Sequence, residues 1–522
     1  MDKLVIEDYD KPYFISYRLK TFEGFTIDAR YGALFGSNTR RAADIGVEVR
    51  VGDYQLDNTG GEIVFFPFAE GLPTDPAAPI DDNLKALKNA LWLSTDKVYK
   101  KAIYDFLQRK GKKVYEAEDK KIPSFSREKA ESFTGKDIPL SFDKDKWEKR
   151  MRHLSRLFEK YPNAMQSRVS LKAEKQINYY VNSEGSRIVE EDVLFNLQAE
   201  AMTKAEDGML LENHRTFYAP SADKLPDMKT LEKELREMTA ELIALKNAPV
   251  ADPYTGPAIL EAQAAGVLFH EAVGHRLEGE RQDNEDEGRT FKGQTGKRII
   301  PEFLDLLDDP TLESFENISL NGHYAYDDEG VKSRRVSLVE KGILKSFLMS
   351  RHPIEGFDKS NGHGRAASTR KPIARMGNTI LISHKTSSRE RLKEMLIELI
   401  KKQKKPYGMI IRDMDGGSTN TSTYGYQAFK GIPRIVLRVF PDGREELVRG
   451  VELVGTPLTS INKIVATSDK SAIFNGYCGA ESGYVPVSAI APAVLMKELE
   501  LQRKKQDKER LPILPSPFNG GK

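Results

Sequence analysis

The stretch FHEAVGHRLEG, residues 269–279, is the most informative part of this 522-residue chain. It places His270, Glu271 and His275 within one or two turns of a helix. The chain contains eight histidines, and no other two lie this close together in the sequence. Two imidazoles beside a carboxylate are a donor set that binds metal ions. The spacing of these three residues therefore decides what they can do together.

The spacing resembles the His-Glu-x-x-His motif of zinc peptidases, in which two imidazoles hold the metal and the glutamate activates water. Here three residues rather than two separate Glu271 from His275. Positions i and i+5 lie about 140° apart around a helix, so a regular helix would direct the two imidazoles to different surroundings. A π-bulge would return them to one face, and a bend or stop at Gly274 would do the same. The alternative is a surface helix with two incidental histidines.

The composition is that of an ordinary globular protein, with 39% hydrophobic and 30% charged residues. At this length we expect roughly two to four domains. The 80 basic residues nearly balance the 78 acidic ones, which leaves a formal net charge of +2. With this balance the chain has no overall positive electrostatic potential that would attract nucleic acid, and we expect no direct nucleic-acid binding.

Membrane and secretion signals are not visible in the sequence. No stretch of about 20 apolar residues occurs, so we expect no membrane-spanning helix. The N-terminus, MDKLVIED, lacks the apolar region of a signal peptide. Cys478 is the single cysteine, which excludes an internal disulfide. These features predict a cytoplasmic protein in a reducing compartment.

The N-terminal half alternates between strand-like and helix-like periodicity. Residues 1–70 show a period of two, as at Val47, Val49 and Val51, and residues 166–218 look extended again. The predicted helical stretches are 81–108, the segment after Asp143 with Trp147, Met151, Leu154 and Phe158, and 228–247. We expect a mixed α/β domain in which helices flank an antiparallel sheet.

The C-terminal half begins with DPYTGP, residues 252–257, where Pro257 suits the first turn of the helix that carries the two histidines. Short strands separated by turns follow to about residue 500, for example 434–440 with 446–448. This pattern predicts a domain of mostly antiparallel strands, as a curved sheet or barrel, that carries the metal-motif helix.

The fold class is therefore predicted to be α+β. We expect a strand-rich start, a helical insertion or linker, a central α/β segment, the C-terminal domain and a tail. Their predicted boundaries are 1–80, 81–165, 166–250, 251–500 and 501–522. The end of the chain, LPILPSP at 511–517, is predicted to be extended.

Two imidazoles need a third protein ligand if a fourth position is to remain for water. By local spacing the choice is Glu278, three residues after His275. Cys478 is the rival, because thiolate is a strong zinc ligand and the glycines around it permit a tight turn. An inert buried thiol and a cysteine nucleophile with a histidine base are further interpretations of Cys478. The spacing does not choose among them.

Four blocks of sequence together resemble the TldD/PmbA metallopeptidases, a family once called modulators of DNA gyrase. The blocks are HEAVGH at 270–275, DDEG at 327–330 followed by GILK at 342–345, RMGNT at 375–379, and NGYCG at 475–479. The resemblance covers roughly residues 250–500. The N-terminal half is similar only in general pattern, and residues 92–165 are longer than the family leads us to expect.

The resemblance implies a zinc site formed by His270, His275 and Cys478, with Glu271 as general base. Because every motif residue is present, the chain resembles the catalytic, TldD-like branch and not the companion branch that lacks the metal motif. Members of the family pair as dimers around a chamber that admits small or unfolded peptides. We therefore expect a peptide or unfolded-protein substrate and a dimer, formed with a second copy or with a companion of the same family.

The leading functional hypothesis is a zinc-dependent metallopeptidase that hydrolyses small or unfolded peptides. The second is a cysteine-nucleophile hydrolase, which would be insensitive to chelators. The third is a non-catalytic peptide-binding or regulatory subunit, which would need none of the four motif residues. Three weaker features are assigned structural roles, namely an acidic turn at 327–329, a turn at 415–418 and a salt bridge of Arg375.

Overall fold

The structure of the protein is a computed structural model, and it describes residues 4–59, 78–113, 122–284, 286–368, 370–422 and 428–505, together with 510, 512, 514, 517 and 518. The extended tail predicted at 511–517 lies mostly outside the described residues. Among the helices of the described ranges, none is both long enough and apolar enough to cross a lipid bilayer.

The helices and strands follow one another along the described chain in three groups. The helices are α1 (Leu84–Lys113), α2 (Lys144–Arg156), α3 (Met228–Asn247), α4 (Ala262–Ala272), α5 (Arg389–Lys402) and α6 (Pro457–Ile461). The strands before α3 are β1 (Pro12–Arg30), β2 (Ala33–Val51), β3 (Ser132–Thr134), β4 (Gln166–Asn182), β5 (Arg187–Lys204) and β6 (Leu210–Ala219). The strands after α3 are β7 (Tyr254–Leu260), β8 (Leu304–Asp308), β9 (Ser314–Phe315), β10 (Ile318–Ser319), β11 (Val336–Glu340), β12 (Ile343–Leu344), β13 (Gly364–Arg365), β14 (Ile373–Ala374), β15 (Asn378–Ser383), β16 (Thr386–Ser387), β17 (Gly408–Thr419), β18 (Phe429–Val439), β19 (Glu445–Val448), β20 (Val451–Gly455), β21 (Ile464–Ala480) and β22 (Gly483–Arg503).

The N-terminal sheet has the strand order β2-β1-β4-β5-β3, and β6 also pairs with β5. Its pairings are antiparallel except that between β3 and β5. In β5, buried and half-buried residues alternate from Val193 onward, as a period of two requires. Helices α2 and α3 share one core cluster with this sheet, and α1 packs against β1 and β2. The prediction of helices flanking an antiparallel sheet is confirmed.

Capping side chains mark where these helices begin. Asp143 and Asp227 each accept a hydrogen bond from the backbone N–H three residues later, at the starts of α2 and α3. The helix predicted at 228–247 coincides with α3. The helix predicted at 81–108 is displaced to 84–113, because Asn83 caps it and the basic residues after 108 are good helix formers.

The C-terminal sheet is built around β22, a strand of 21 residues. It pairs with β7, β15, β20 and β21 along different parts of its length. Of the described strands, five form a closed circuit, because β22 leads through β20, β18 and β17 to β7 and back to β22. The prediction of a curved, mostly antiparallel sheet or barrel is confirmed, and with it the α+β class.

The prediction for the approach to the motif helix is wrong. Residues Tyr254–Leu260 form β7, and α4 begins only at Ala262. β7 is buried between β17 and β22, so its apolar run has no alternation that would distinguish a strand from a helix. Pro257 lies at an irregularity in the pairing with β22, where its missing N–H is tolerated.

The five predicted segments remain a prediction as domain boundaries. Strands from the first and third segments, β1, β2 and β4 to β6, share one sheet. Buried ion pairs connect this sheet to the C-terminal half, with Lys20 at 2.6 Å from Asp328 and Arg351 at 2.7 Å from Glu184. The two halves of the chain therefore meet through charged side chains as well as apolar contacts.

Candidate metal centre

Helix α4 carries His270 and Glu271 in its last turn. Its sequence, AQAAGVLFHEA, is small and apolar, and residues 264–272 are all buried. A helix that is apolar around its whole circumference is surrounded by protein, and α4 packs against β17, β21 and β22. The end of α4 is therefore held firmly by the strands around it.

The spacing of the two histidines is accommodated by the end of the helix. α4 stops at Ala272, and residues Gly274–Leu277 continue as one turn of 3-10 helix. Of the two distortions considered from the sequence, the stop is the one observed. A Cβ at position 274 would collide with Sδ of Met376, so a side chain there would require this buried methionine to move.

Arg276 holds the end of α4 in place. Its guanidinium donates hydrogen bonds to the carbonyl oxygens of Glu271 and Ala272 at 3.1 and 3.3 Å. These carbonyls lie at a helix C-terminus, where intrahelical partners run out. The same guanidinium donates to Thr419 Oγ1 at 2.7 Å and to the carbonyl of Asn420 at 3.2 Å. Arg276 thus connects the helix end to the end of β17, a role that the sequence analysis did not identify.

Cys478 reaches the same place from β21, where it pairs with Val485 of β22. Its Sγ lies 3.1 Å from Nε2 of His270 and 3.3 Å from Nε2 of His275. The three ligand atoms lie within 4.8 Å of one another, and all three residues are buried. Within the described residues, this is the single group of histidine, cysteine and carboxylate donors that converge in this way.

The thiol and the imidazoles stabilise each other's charged forms. Burial by itself would raise the pKa of the Cys478 thiol, but attraction to His275 and His270 lowers that pKa well below its usual value. Burial would likewise lower the pKa of His275, yet the charges of Cys478 and Glu278 raise it well above its usual value. The site therefore favours the thiolate, which is the form of cysteine that binds metal.

Glu278, the ligand suggested by local spacing, lies on the other side of His275. Its carboxylate oxygens lie 3.2 and 3.3 Å from Nδ1 of His275, whereas Nε2 faces Cys478. Arg281 donates from Nε to Glu278 at 2.7 Å. Burial opposes the charge of Glu278, but His275 and Arg281 outweigh it and lower the pKa to about 2. The geometry therefore places Cys478, and not Glu278, beside both Nε2 atoms.

The group formed by His270, His275 and Cys478 fits a zinc ion in chemistry and in distance. Two imidazole nitrogens and one thiolate are ligands that zinc prefers. With Zn–N of about 2.1 Å and Zn–S of about 2.3 Å, nitrogen and sulfur stand about 3.6 Å apart across a tetrahedral site. The observed separations of 3.1 and 3.3 Å are a few tenths shorter, a difference that a small side-chain shift removes. Three protein ligands leave a fourth position open, which is typical of catalytic zinc sites.

Glu271 lies beside this group without belonging to it. Its Oε2 is 4.0 Å from Nε2 of His275, and its side chain is largely buried. Gly417 of β17 packs directly on it, since a Cβ at this position would lie 2.5 Å from Cγ of Glu271. The prediction of a turn at 415–418 is wrong, because these residues belong to β17. Because Gly417 and Glu271 are remote from each other in the sequence, the sequence alone does not reveal this close contact.

A cavity of about 1160 Å³ opens in front of the group, and the four motif residues line it. Other parts of the wall come from the N-terminal half, namely residues 214–219 of β6 and Glu241 of α3. Tyr218 of β6 packs edge to face against Tyr477 of β21, with ring centroids 6.4 Å apart. Both halves of the chain therefore enclose one space, which the sequence analysis did not predict.

Arg375, expected in a salt bridge, is fully buried beside the same group. Its Nε lies 3.6 Å from Oε1 of Glu278, and Nη2 donates to the carbonyl of Cys478 at 2.6 Å. The block RMGNT at 375–379 thus contributes a residue that contacts the metal group from inside the protein.

Sequence similarity identifies the family of the C-terminal half. Residues 253–503 match the family model described as the PmbA/TldA metallopeptidase C-terminal domain. A metalloprotease of Archaeoglobus fulgidus is 31% identical over 269 residues, which are 51% of this chain and 58% of that protein. A zinc metalloprotease TldD homolog of Saccharolobus solfataricus is 28% identical over 257 residues, which are 49% and 53% of the two chains. The matches therefore span little more than half the length of these relatives.

Similarity of fold extends over nearly the whole chain. TldE from Thermococcus kodakarensis superposes with a TM-score of 0.63 over 94% of this chain and 97% of its own, at 15% identity. At that identity the likeness shows the fold alone, and it includes the N-terminal half. The resemblance stated from the sequence blocks is confirmed for residues 253–503, which match the C-terminal domain of the TldD/PmbA family.

Proposed function

We propose that the protein is a zinc-dependent metallopeptidase that hydrolyses small or unfolded peptides. The observation that carries the proposal is the convergence of His270, His275 and Cys478 on the wall of a large cavity, with Glu271 beside them. The names of the relatives, which are metalloproteases, support the same reading. The four residues are the His-Glu-x-x-x-His motif and its distant cysteine.

His270, His275 and Cys478 would hold the zinc ion. When bound there, zinc supplies Lewis-acid polarisation of a peptide carbonyl and activation of a water molecule. The two imidazoles direct their Nε2 atoms to one point, and the thiolate of Cys478 balances part of the charge of a divalent ion.

Glu271 would act as the general base. Its carboxylate lies near Nε2 of His275 but outside the ligand group, so its oxygens are free to accept a proton from the attacking water. It can then deliver that proton to the nitrogen of the leaving amine. Packing against Gly417 restricts the carboxylate to this position.

The cavity supports a peptide as substrate. Its volume of about 1160 Å³ exceeds the range of about 300–1,000 Å³ that is usual for small-molecule pockets. A folded domain of 100 residues, with a radius of gyration of about 13 Å, is far too large to enter. Small peptides and unfolded segments are therefore the substrates that could bring a peptide bond to the buried group.

A cysteine-nucleophile mechanism has less support from the geometry. A nucleophilic thiol needs one histidine as its base, whereas two imidazoles point their Nε2 atoms at Cys478. A metal ion requires several donor atoms that converge on one point, as these three do, whereas a nucleophilic thiol does not require them. A non-catalytic subunit would likewise need no such group.

We further propose that the chain works as a dimer in the cytoplasm, with a second copy or a companion of the same family. The family resemblance supports pairing, and a reducing compartment would keep Cys478 as a thiol. The near-neutral charge supports no direct role for nucleic acid. Light scattering on the purified protein should give twice the mass of the 58.8 kDa chain. A monomeric mass both alone and with a companion would contradict pairing.

Metal content and peptide cleavage, measured on the same samples, test the proposal. We expect one zinc per wild-type chain by mass spectrometry and almost none in Cys478→Ser, because removing one of three ligands leaves the ion weakly held. Peptide hydrolysis should vanish in Cys478→Ser and in chelated wild type, and added zinc should restore only the latter.

Histidine variants provide a matched control for this experiment. His270→Gln should lose zinc, whereas His363→Gln should keep it, because His363 is buried in a hydrogen bond with Asp308 and does not line the cavity. Full turnover by chelated wild type would overturn the zinc mechanism in favour of a thiol hydrolase. Unchanged metal content in Cys478→Ser would show that another residue is the third ligand.

A further inference from the structure

A buried carboxylate and a buried guanidinium connect two ligands that are 203 residues apart in sequence. We propose that Glu278 and Arg375 are positioning residues, which orient the imidazole of His275 and fix the strand that carries Cys478 so that both meet at one ion. The inference rests on the proposed zinc site. Neither residue would bind the ion, and each would hold one of the ligands in position.

Glu278 acts on His275 through Nδ1. The two carboxylate oxygens lie 3.2 and 3.3 Å from this nitrogen, and the side chain is 1% exposed. An imidazole that donates its Nδ1–H to a carboxylate keeps the lone pair of Nε2 for a metal, and the ring can no longer rotate. Nε2 is the atom that faces Cys478, so Glu278 selects both the tautomer and the direction of this ligand.

Arg375 acts on Cys478 through the backbone. Its Nη2 donates to the carbonyl of Cys478 at 2.6 Å, and Nη1 donates to Ser482 Oγ at 2.7 Å and to the carbonyl of Gly483 at 2.9 Å. These acceptors lie on both strands and the turn of the β21–β22 hairpin. A planar guanidinium with fixed donors holds three acceptors at defined positions, which an ammonium group cannot do.

The two residues also contact each other. Nε of Arg375 lies 3.6 Å from Oε1 of Glu278, while Arg281 donates to the other oxygen at 2.7 Å. The Nε of Arg375 has no hydrogen-bond partner among the described residues, so Glu278 is its charged neighbour. The Glu278 carboxylate therefore contacts His275 on one side and the guanidinium groups of Arg281 and Arg375 on the other. A shift of Glu278 or of Arg375 would therefore change the positions of both His275 and Cys478.

Zinc affinity and the cobalt spectrum separate positioning from a merely structural role. In Glu278→Gln and Arg375→Lys, we expect the zinc dissociation constant, measured by competition with a chromophoric chelator, to rise about 10- to 100-fold. In the cobalt-substituted protein, the thiolate-to-cobalt charge-transfer band should weaken or shift in Arg375→Lys, because the position of Cys478 is no longer fixed. Loss of a buried ion pair that only stabilised the fold would lower the melting temperature and leave both readouts unchanged.

Two other buried pairs provide matched controls. Glu287 accepts from the same Arg281 at 2.6 Å but is not bonded to His275, so Glu287→Gln should keep the wild-type affinity. Arg351 is a buried guanidinium that joins the carbonyl of Ser126 to Glu184, and Arg351→Lys should leave the cobalt spectrum unchanged.

A double variant tests whether the two residues work through one connection. If Glu278 and Arg375 position the ligands jointly, the affinity loss in the double variant is smaller than the product of the two single losses. A loss equal to that product would overturn the joint action.

Wild-type affinity in both single variants would overturn the positioning roles. Should a charged variant fail to fold, Ser482→Ala decides, because it removes one acceptor of Arg375 and leaves every charge in place. It should weaken zinc binding and shift the cobalt band, and an unchanged band would count against the proposal. Wild-type protein that binds no zinc would instead remove the proposed function itself, so the two failures are distinguishable.

Discussion

Two of the buried clusters of ionisable side chains have their charges balanced in opposite ways. In the metal cluster, the Cys478 thiol lies between two imidazoles, and the pKa of the thiol falls well below its usual value although burial opposes this. In the junction cluster, formed by Asp327, Glu329 and their neighbours between the two halves, carboxylates face each other. Burial raises the pKa of Asp327 to about 7, and burial together with the charge of Asp327 raises that of Glu329 well above its usual value.

The difference shows that buried carboxylates alone do not make a metal site. The oxygens of Asp327 accept hydrogen bonds from the backbone N–H groups of Glu329, Val331 and Gly364. They are therefore engaged in forming a turn, as the sequence analysis expected for 327–329. In the metal cluster the donor atoms instead point at one another, and the space in front of them is open. The two clusters differ in whether their donor atoms converge on one point, more than in how many donor atoms they contain.

The largest expected effect comes from removing the proposed base, Glu271, and keeping the three proposed ligands. Glu271→Gln should bind zinc as wild type does, while kcat for a peptide falls about 10²- to 10⁴-fold, because general base catalysis is lost. Steady-state kinetics and metal analysis on one preparation measure both. Glu481→Gln serves as the control, since Glu481 also lines the cavity but pairs with Arg281 and lies outside the ligand group. Activity retained in Glu271→Gln would remove the proposed base.

A smaller effect is expected from displacing the same carboxylate. Gly417→Ala introduces a Cβ that would lie 2.5 Å from Cγ of Glu271, so the side chain must shift. A displacement of about 1 Å at a catalytic group can reduce the rate about 10²-fold. Zinc content should remain that of wild type, and Ser418→Ala, one residue further along β17, should have wild-type kinetics. A Gly417→Ala enzyme as fast as wild type would show that Glu271 needs no fixed position.

The smallest effect concerns the junction cluster and appears in stability. A carboxyl group with a raised pKa in the folded state contributes stability below its unfolded pKa of about 4, and this is lost as the pH rises through the folded value. Glu329→Gln should therefore be more stable than wild type at pH 8, by on the order of 1 to 3 kcal/mol, and the difference should shrink toward pH 4. Urea denaturation of both proteins across this range measures it.

Asp328 provides the control within the same turn. Burial opposes its charge, but Lys20 and Arg18 outweigh burial and lower its pKa, so the sign reverses. Asp328→Asn should be less stable than wild type at pH 8, because Lys20 is left buried without its partner at 2.6 Å. If Glu329→Gln and Asp328→Asn both raised, or both lowered, the free energy of unfolding at pH 8, the opposite roles of these two carboxyl groups would be contradicted.

Local patterns in the sequence were sufficient for the elements that depend on neighbours along the chain. The period of two at Val47, Val49 and Val51 predicted the strand that β2 forms, and the apolar stripe at 228–247 predicted α3 at the correct boundaries. β7 was missed, because a fully buried strand has the same apolar run as a buried helix. The cysteine was connected to the histidines by family resemblance and not by spacing.

By itself, the sequence determined the α+β class, the two-histidine motif and the residues that could bind a metal. Tertiary structure alone decided that α4 ends at Ala272, that Cys478 and not Glu278 faces both Nε2 atoms, and that Gly417 packs directly on Glu271. The physical reason is the range of the interactions. Helix caps and hydrophobic periodicity act over a few residues, whereas the contacts around the metal group join segments more than a hundred residues apart.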